Sequence, residues 1–341
     1  MKILSLVIPA YNSEKFLDKC IQSMLHPDVL QDIEIIVVND GSTDRTPEIA
    51  VSYCKQYPDT VHLINQENKG HGGALNTGCA AASGKYLKVI DADDWVVTEH
   101  LPSFIQKLSE CVSDVVLTPH HTIDISNGEV CDWKCYPPAY GKTYTFSEIM
   151  QDWSAYERSL TFHGITYRTD FYREKAESLP EHVFYEDHVY ATFPCCHAES
   201  ITPLDLFIYE YRIGDCSQSV SRQNQLKRHE HMETVLDVME QRYAEMPDSP
   251  NRMYVGKKLE CVLLSYFVTT LLADPDRKEG RMLAGQELEQ CRSFSPNVYI
   301  TVKKKFGIFL AMNYLHMTND TWEAVMNSRL YKRFMKKRSF S

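Results

Sequence analysis

The chain has no stretch of the roughly 18–20 consecutive apolar residues that a membrane-spanning helix needs. The nearest approach, residues 261–273, is short enough to read as a buried helix. Positive charge is not in excess either. Against 46 Asp and Glu stand 36 Lys and Arg, and the formal net charge of −10 argues against general nucleic-acid binding. None of the 11 cysteines forms a Cys-x-x-Cys pair. Neither Cys131 with Cys135, nor Cys195-Cys196-His197, nor His229-Glu230-His231 has the spacing of a zinc site, so reduced and mostly buried thiols of a cytosolic protein are expected. Residues 3–9 are too short an apolar run for a signal peptide, and Tyr11-Asn12 follows where a small-residue cleavage site belongs. Internal repeats and low-complexity tracts are lacking as well. What remains is a chain of 341 residues with a sizeable core, in two domains or one large one.

Its first part alternates short β-branched runs with helical patterns. Residues 4–9 read as a strand, and 14–25 as a helix with Phe16, Leu17, Ile21, Met24 and Leu25 on one face. The nearly continuous apolar run 33–38 fits a strand covered on both faces. Thr46-Pro47 looks like an N-cap followed by a first-turn proline. Strands over 61–64 and 86–90 bracket a helix over 74–82. Such alternation predicts a parallel sheet with right-handed crossovers, and ligands bind beyond the carboxyl ends of its strands. Further along, 120–125 and 129–133 read as a hairpin around Asn127-Gly128, with strands over 162–167 and 206–211. Past residue 221 only helices are predicted, over 225–243, 252–272, 282–291, 298–315 and 321–335.

Three polar clusters fall at predicted strand ends. They are Ala10-Tyr11-Asn12, Asn39-Asp40-Gly41-Ser42 and Asp91-Ala92-Asp93-Asp94. In an extended chain residues i and i+2 point the same way, so Asp91 and Asp93 can face one point. Two carboxylates at a strand end suit Mg²⁺ or Mn²⁺, ions that hold nucleotide phosphates; the structural alternative is a solvated acidic turn. The coincidence of three clusters on one edge points to a nucleotide site. Look-alikes fail on spacing. A calcium loop starting at Asp40 would need glycine at Arg45 and glutamate at Val51. Gly78 to Gly84-Lys85 is one residue too long for a phosphate loop and has Tyr86 in place of Ser/Thr. Gly70-His71-Gly72-Gly73 lacks the third glycine of a dinucleotide fingerprint and reads instead as a close approach of backbone to ligand.

The blocks Val7-Ile8-Pro9-Ala10-Tyr11-Asn12, Val37-Val38-Asn39-Asp40-Gly41-Ser42-Thr43-Asp44, Asn68-Lys69-Gly70 to Asn76-Thr77-Gly78, and Asp91-Ala92-Asp93-Asp94 come in an order and spacing that resembles glycosyltransferase family 2. The resemblance spans roughly residues 3–220. It implies an α/β, Rossmann-like GT-A fold with a mostly parallel central sheet flanked by helices. A catalytic domain over 1–220 and a C-terminal α-helical region over 221–341 are expected from it together with the helical pattern. It also implies an inverting, metal-assisted enzyme using a nucleotide-sugar donor, a UDP-sugar in first place, with Mn²⁺ or Mg²⁺ as cofactor.

Carried over residue by residue, Pro9, Ala10 and Tyr11 would line the nucleobase pocket and Asp40 would bond the base. Asp91 would approach the ribose or base, and Asp93 would be the metal ligand of an Asp-x-Asp motif. Phe184-Tyr185-Glu186-Asp187 resembles the family's Glu-Asp pair, with Asp187 the general base and Glu186 orienting the site. Its alternative is a helix N-terminus stabilised by acids. Tyr209-Glu210-Tyr211-Arg212, followed by Ser217, Ser219 and Ser221, resembles the segment after the base. There Arg212 would approach phosphates or acceptor, or form a structural ion pair, and His163 would lie near the acceptor or serve as a core histidine. Leu75 stands where family members often carry arginine, which leaves Lys69 as a phosphate contact.

Gln225-Leu226-Lys227-Arg228-His229 lacks the tryptophan of processive relatives, so one sugar per encounter is expected, passed to a glycan or lipid-linked acceptor. A sugar-nucleotide pyrophosphorylase would need a Gly-rich, Arg-containing loop where Ala10-Tyr11-Asn12 stands. The other alternative is a non-catalytic nucleotide-sugar-binding module. The tail over 329–338 holds six cations, no acids and several large apolar residues, a pattern able to dock on anionic lipid at the inner membrane face.

Overall fold

The structure, a computed structural model, describes residues 2–215, 218, 221–318, 321 and 324. Ser217, Ser219, the basic tail and nearly all of the helix expected over 321–335 lie outside the described residues. The described residues up to Asp215, together with Asp248–Tyr254, form one compact unit. Those within 216–247 and from Val255 onward form a second.

In the first unit β1 (Leu4–Ala10), α1 (Leu17–Met24), β2 (Ile33–Asp40), α2 (Thr46–Gln56), β3 (Val61–Gln66), α3 (Gly70–Ala81) and β4 (Tyr86–Val89) follow one another as strand and helix in turn. Then come β5 (Trp95–Val96), α4 (Leu101–Glu110), β6 (Val115–Leu117), and the hairpin β7 (His120–Asp124) and β8 (Val130–Trp133). Short helices α5 (Phe146–Gln151) and α6 (Trp153–Tyr156) lead to β9 (Ile165–Arg168), α7 (Thr169–Lys175), α8 (Asp187–Cys196), β10 (Ile201–Pro203) and β11 (Tyr209–Ile213). The main sheet has seven strands in the order β10-β6-β9-β4-β1-β2-β3. Only β9 runs against the others. The mostly parallel sheet flanked by helices is the fold class implied by the resemblance; the reversed strand is not foreshadowed in the sequence. A smaller sheet pairs β5-β11-β7-β8, with β11 parallel to β7.

Every residue of β1 and β2 is buried, as expected of strands covered on both faces. Helix α1 buries Leu17, Cys20, Ile21 and Met24, the i, i+3, i+4, i+7 stripe of a surface helix. It starts at Leu17 rather than at residue 14, because the preceding backbone is diverted to the β2–α2 loop. There Ser13 N donates to Thr46 Oγ1 at 2.7 Å and Glu14 N to Asp44 Oδ2 at 3.0 Å. Thr46 is accordingly not the N-cap. It is the first helical residue, and its N–H is held by Asp44 Oδ1 at 2.9 Å. Gly84 lies at the amino edge of β4, where its N–H meets Ser5 Oγ at 2.8 Å and Glu34 Oε1 at 3.1 Å. That is a structural junction, not a phosphate cradle.

The second unit contains α9 (Arg222–Lys227), α10 (His229–Glu245), most of α11 (Pro250–Val268), a π-helical turn (Thr269–Ala273), α12 (Arg277–Phe294) and α13 (Pro296–Tyr314). No helix among the described residues is long and apolar enough to cross a membrane.

Between α10 and α12 two acids are buried, Glu240 and Glu287. Burial pushes the Glu240 carboxyl up to about 7, partly offset by Gln290, with the Asp237 charge adding to the rise. Glu287 is raised to about 8 by burial and by the charges of Glu240, Asp237 and Glu233. Carboxyls that bind protons more tightly folded than unfolded stabilise the fold fully below about pH 4.3, the unfolded value, and lose that contribution as pH rises through the folded values. The urea midpoint should therefore fall between about pH 4 and 8, and Glu240→Gln with Glu287→Gln should flatten the slope. A midpoint independent of pH in the parent protein would refute this.

Candidate active site

Strands β1, β2 and β4 run parallel, so their carboxyl ends share one edge. At the β2 end Asp40 is almost wholly buried. Its Oδ1 accepts from Gln66 Nε2 at 2.7 Å and from Lys69 N at 2.8 Å. Its Oδ2 is buried without a hydrogen-bond partner. A buried unpaired carboxylate oxygen is costly unless something donates to it. Beside it, Pro9 and Ala10 are buried at the end of β1, and Tyr11 turns outward with 53% of its surface exposed, enough to offer a ring face. Asn12, in the left-handed region at φ 49, ties the two loops together, with Thr43 N donating to its Oδ1 at 2.8 Å.

Beyond β4 the chain does not stay extended. Asp94 N donates to Asp91 O at 3.0 Å, which closes a turn, and the three carboxylates take different partners. The i, i+2 expectation thus holds for the residues' proximity but not for their geometry. Asp91 Oδ1 lies 2.9 Å from His71 Nε2. Asp93 Oδ2 pairs with Arg212 Nη2 at 2.7 Å, and its carbonyl accepts from Arg212 Nε at 3.1 Å. Asp94 is buried, accepting from Tyr209 OH at 2.6 Å and from Arg212 N at 2.7 Å. Burial and the charges of Asp91 and Asp93 raise the Asp94 carboxyl well above the usual range. Burial also raises Asp91, against the pull of His71. Arg212 lies over the Phe16 ring at 4.2 Å and reaches Asp215 at 3.3 Å, so it pairs with one acid of the turn, Asp93, and one outside it.

On the facing side Glu186 and Asp187 open α8. Tyr185, at φ 73, bends the chain into that helix. Glu186 is buried and bonds His71 Nδ1 through Oε1, while Asp187 is half-buried and close enough to Asp91 to raise its proton affinity. His71 therefore bridges two acids. Burial works to lower its basicity, but the Glu186 charge and the bonds to both carboxylates outweigh it and hold the imidazole well above its ordinary value.

The glycines around His71, read from the sequence as a close approach of backbone to ligand, come close to another segment of the chain itself. They form the first turn of α3. A Cβ on Gly72 would sit 2.4 Å from Pro180 O, and one on Gly70, at φ +76, would sit 2.8 Å from His182 N, so the close approach is to the chain's own 180–186 loop. Lys69 extends to Glu181, 3.5 Å away, with both side chains about half exposed.

His163 is stacked on Tyr211 at 4.1 Å, and burial with the nearby His120 and Lys88 charges holds it well below its usual value, a neutral imidazole. Among the described residues Asp91, Asp94 and His163 bring ligand atoms within 4.8 Å of one another. Both oxygens of Asp94 already accept hydrogen bonds, and the carboxylate oxygens gathered at this turn are of the kind that suits a hard divalent cation. The sequence reading missed His71, Asp94 and Tyr209 as parts of this site. Asp94 sits inside the acidic run, Tyr209 opens the segment Tyr209-Glu210-Tyr211-Arg212, and His71 lies among glycines, but none of these signals named the partner each side chain meets.

Residues 5–173 match the family model described as Glycosyl transferase family 2. Glycosyltransferase GlyA of Streptococcus pneumoniae is 35% identical over 128 residues, which are 37% of this chain and 18% of the relative. The chain therefore spans a minor part of that protein's length. In fold, Staphylococcus aureus TarS 1-349, solved with UDP-GlcNAc, has a TM-score of 0.62 at 20% identity, covering 94% of this chain and 89% of that one. The mannosyltransferase PcManGT of Pyrobaculum calidifontis, solved with GDP-Man and Mn²⁺, has a TM-score of 0.50 at 16% identity, covering 92% and 86%. The acidic turn falls inside the segment that the family model matches: through residues 5–173 the chain belongs to glycosyl transferase family 2.

Proposed function

We propose that this chain is an inverting glycosyltransferase that moves one sugar, of hexosyl or N-acetylhexosaminyl type, from a UDP-sugar to a hydroxyl of a glycan or lipid-linked acceptor in polysaccharide or glycolipid assembly. The observation that carries the reading is the orphaned Oδ2 of Asp40, on the same sheet edge as an acidic turn that faces the Asp187 carboxylate. An imide N–H such as that of uracil is the donor this oxygen lacks, and the exposed Tyr11 ring beside it can stack on a base. Solved structures of the same fold bind UDP-GlcNAc and GDP-Man with Mn²⁺, which supports a nucleotide-sugar donor.

In this reading Asp93, with Asp91 beside it, would hold a divalent cation, and that cation would neutralise charge developing on the departing diphosphate. Asp187 accepts the proton of the acceptor hydroxyl as its oxygen attacks the anomeric carbon from the face opposite the diphosphate. The glycosidic C–O bond to the diphosphate breaks in the same step, so one displacement inverts the centre. Glu186 orients the site and Lys69 lies near enough to contact phosphate. Catalysis is assigned to residues 1–220, and the helical region 221–341 to acceptor or surface contacts.

Asp187→Asn should lower transfer by about 10²–10⁴-fold while leaving Mn²⁺-dependent UDP affinity intact. Wild-type turnover in that variant would refute the base assignment. Asp93→Ala should abolish the metal dependence of UDP binding measured by calorimetry, and unchanged metal dependence would remove Asp93 as the ligand. Asp40→Asn tests the nucleobase contact. Because Oδ1 already takes two donors, the new amide must place its NH₂ where Oδ2 now is, facing another N–H. UDP affinity should drop by ~1.5–3 kcal/mol, and equal affinity would place the base elsewhere.

A further inference from the structure

Both halves of the site described above are joined by one side chain. His71 stands in the first turn of α3, with Nε2 2.9 Å from Asp91 Oδ1 and Nδ1 bonded to Glu186 Oε1. Asp91 belongs to the turn after β4, on the donor side. Glu186 immediately precedes Asp187, on the acceptor side. We propose that His71 is a positioning residue for glycosyl transfer, a rigid strut that sets the Asp187 carboxylate against the donor turn by holding Glu186 and Asp91 at fixed separation. The proposal rests on the transferase reading.

Three features of the chain argue that this bridge is built rather than incidental. First, there is no room to replace the glycine next to it. A Cβ on Gly72 would come within 3.0 Å of Glu186 Cγ and 2.4 Å of Pro180 O, so α3 can present His71 to Glu186 only with a bare backbone there. Second, the loop that carries Glu186 is clamped to the same turn, with His182 N donating to Lys69 O at 2.8 Å. Third, Asp91 is held from behind, its N–H donating to Tyr209 OH at 3.1 Å. With both ends braced, the imidazole has one separation to span. Ring rigidity matters here. A flexible amide at position 71 can engage one carboxylate and leave the other to drift, whereas the two ring nitrogens face opposite partners at a fixed distance. Loss of the strut therefore acts on the reacting geometry more than on donor binding, because Asp91 is still held from behind by Tyr209 and the other proposed donor contacts lie at Asp40, Tyr11 and Asp93.

The experiment is steady-state kinetics on His71→Ala, His71→Gln, Gly72→Ala, Glu186→Gln and the pair His71→Ala with Glu186→Gln, together with calorimetry of UDP with Mn²⁺ on the same proteins. For His71→Ala we expect kcat to fall roughly 10–100-fold, the usual effect of losing a residue that orients a site, with donor KM and UDP affinity unchanged. Added imidazole should restore part of kcat in His71→Ala. It should not do so in Gly72→Ala, where the ring is present but Glu186 is displaced. The double variant should be no slower than the slower single one, because both remove the same link. Wild-type kcat in His71→Ala, or additive losses in the double variant with no imidazole response, would overturn the proposal. Should His71→Ala fail to fold, His71→Gln and Gly72→Ala carry the same expectation of lost kcat at unchanged UDP affinity, and normal kcat in both would overturn it. A wild-type protein that binds UDP but transfers or hydrolyses no sugar would instead sink the transferase reading, independently of His71.

Discussion

Three carboxylates within four residues, at the end of a buried strand, are the constraint to which the rest of this site answers. Asp91, Asp93 and Asp94 repel one another, and two of them have raised proton affinity as a result of burial and mutual charge. The turn holds because each acid meets a partner from far along the chain. Arg212 reaches Asp93 across 119 residues, Tyr209 reaches Asp94 across 115, and His71 reaches Asp91 across 20. Strand β11, which supplies the first two, belongs to the smaller sheet. That sheet therefore has a clear task in the first unit, which is to deliver a tyrosine and an arginine to the acidic turn.

Charge on the two sides of the turn is distributed unevenly. Near it lie three further basic groups, and burial lowers the proton affinity of each. Lys88 is wholly buried, held by the carbonyls of His163 and Ile165 at 2.7 and 3.2 Å, and burial pushes it down to about 7. His120 is lowered to about 3 by burial and the Lys88 charge, and His163 falls well below its usual value. The cations that face the carboxylates are thus Arg212 and His71, each already engaged by two acids. A turn that gathers this much negative charge favours a further cation beside it, consistent with the proposed divalent ion.

Much of the frame was legible before the structure. Continuous apolar runs marked β1 and β2, Asn127-Gly128 marked the hairpin turn, and the polar clusters fell on one edge because parallel strands put all their carboxyl ends there. Less legible were features decided by tertiary contacts. Helix α1 loses its first turn to hydrogen bonds with the β2–α2 loop, and Thr46 gives its cap position to Arg45 because Asp44 takes over the capping bond. Strand β9 runs antiparallel although nothing in its four residues, Ile165–Arg168, distinguishes direction. Local patterns record which residues are buried, not which neighbour they meet.

His71 illustrates this most clearly. In the sequence it lies between glycines, which read as a close approach of backbone to ligand. In the fold those glycines begin a helix, and their missing side chains make room for Pro180, His182 and Glu186 rather than for a ligand. Glycine signals close approach without saying to what, since backbone, ligand and a neighbouring loop make the same steric demand. Only the pairing of residues 69–72 with 180–186 tells these apart, and that pairing depends on where β4 and α8 lie, not on anything within ten residues of His71. The motif alone could therefore locate the site but could not name the residue that joins its two halves.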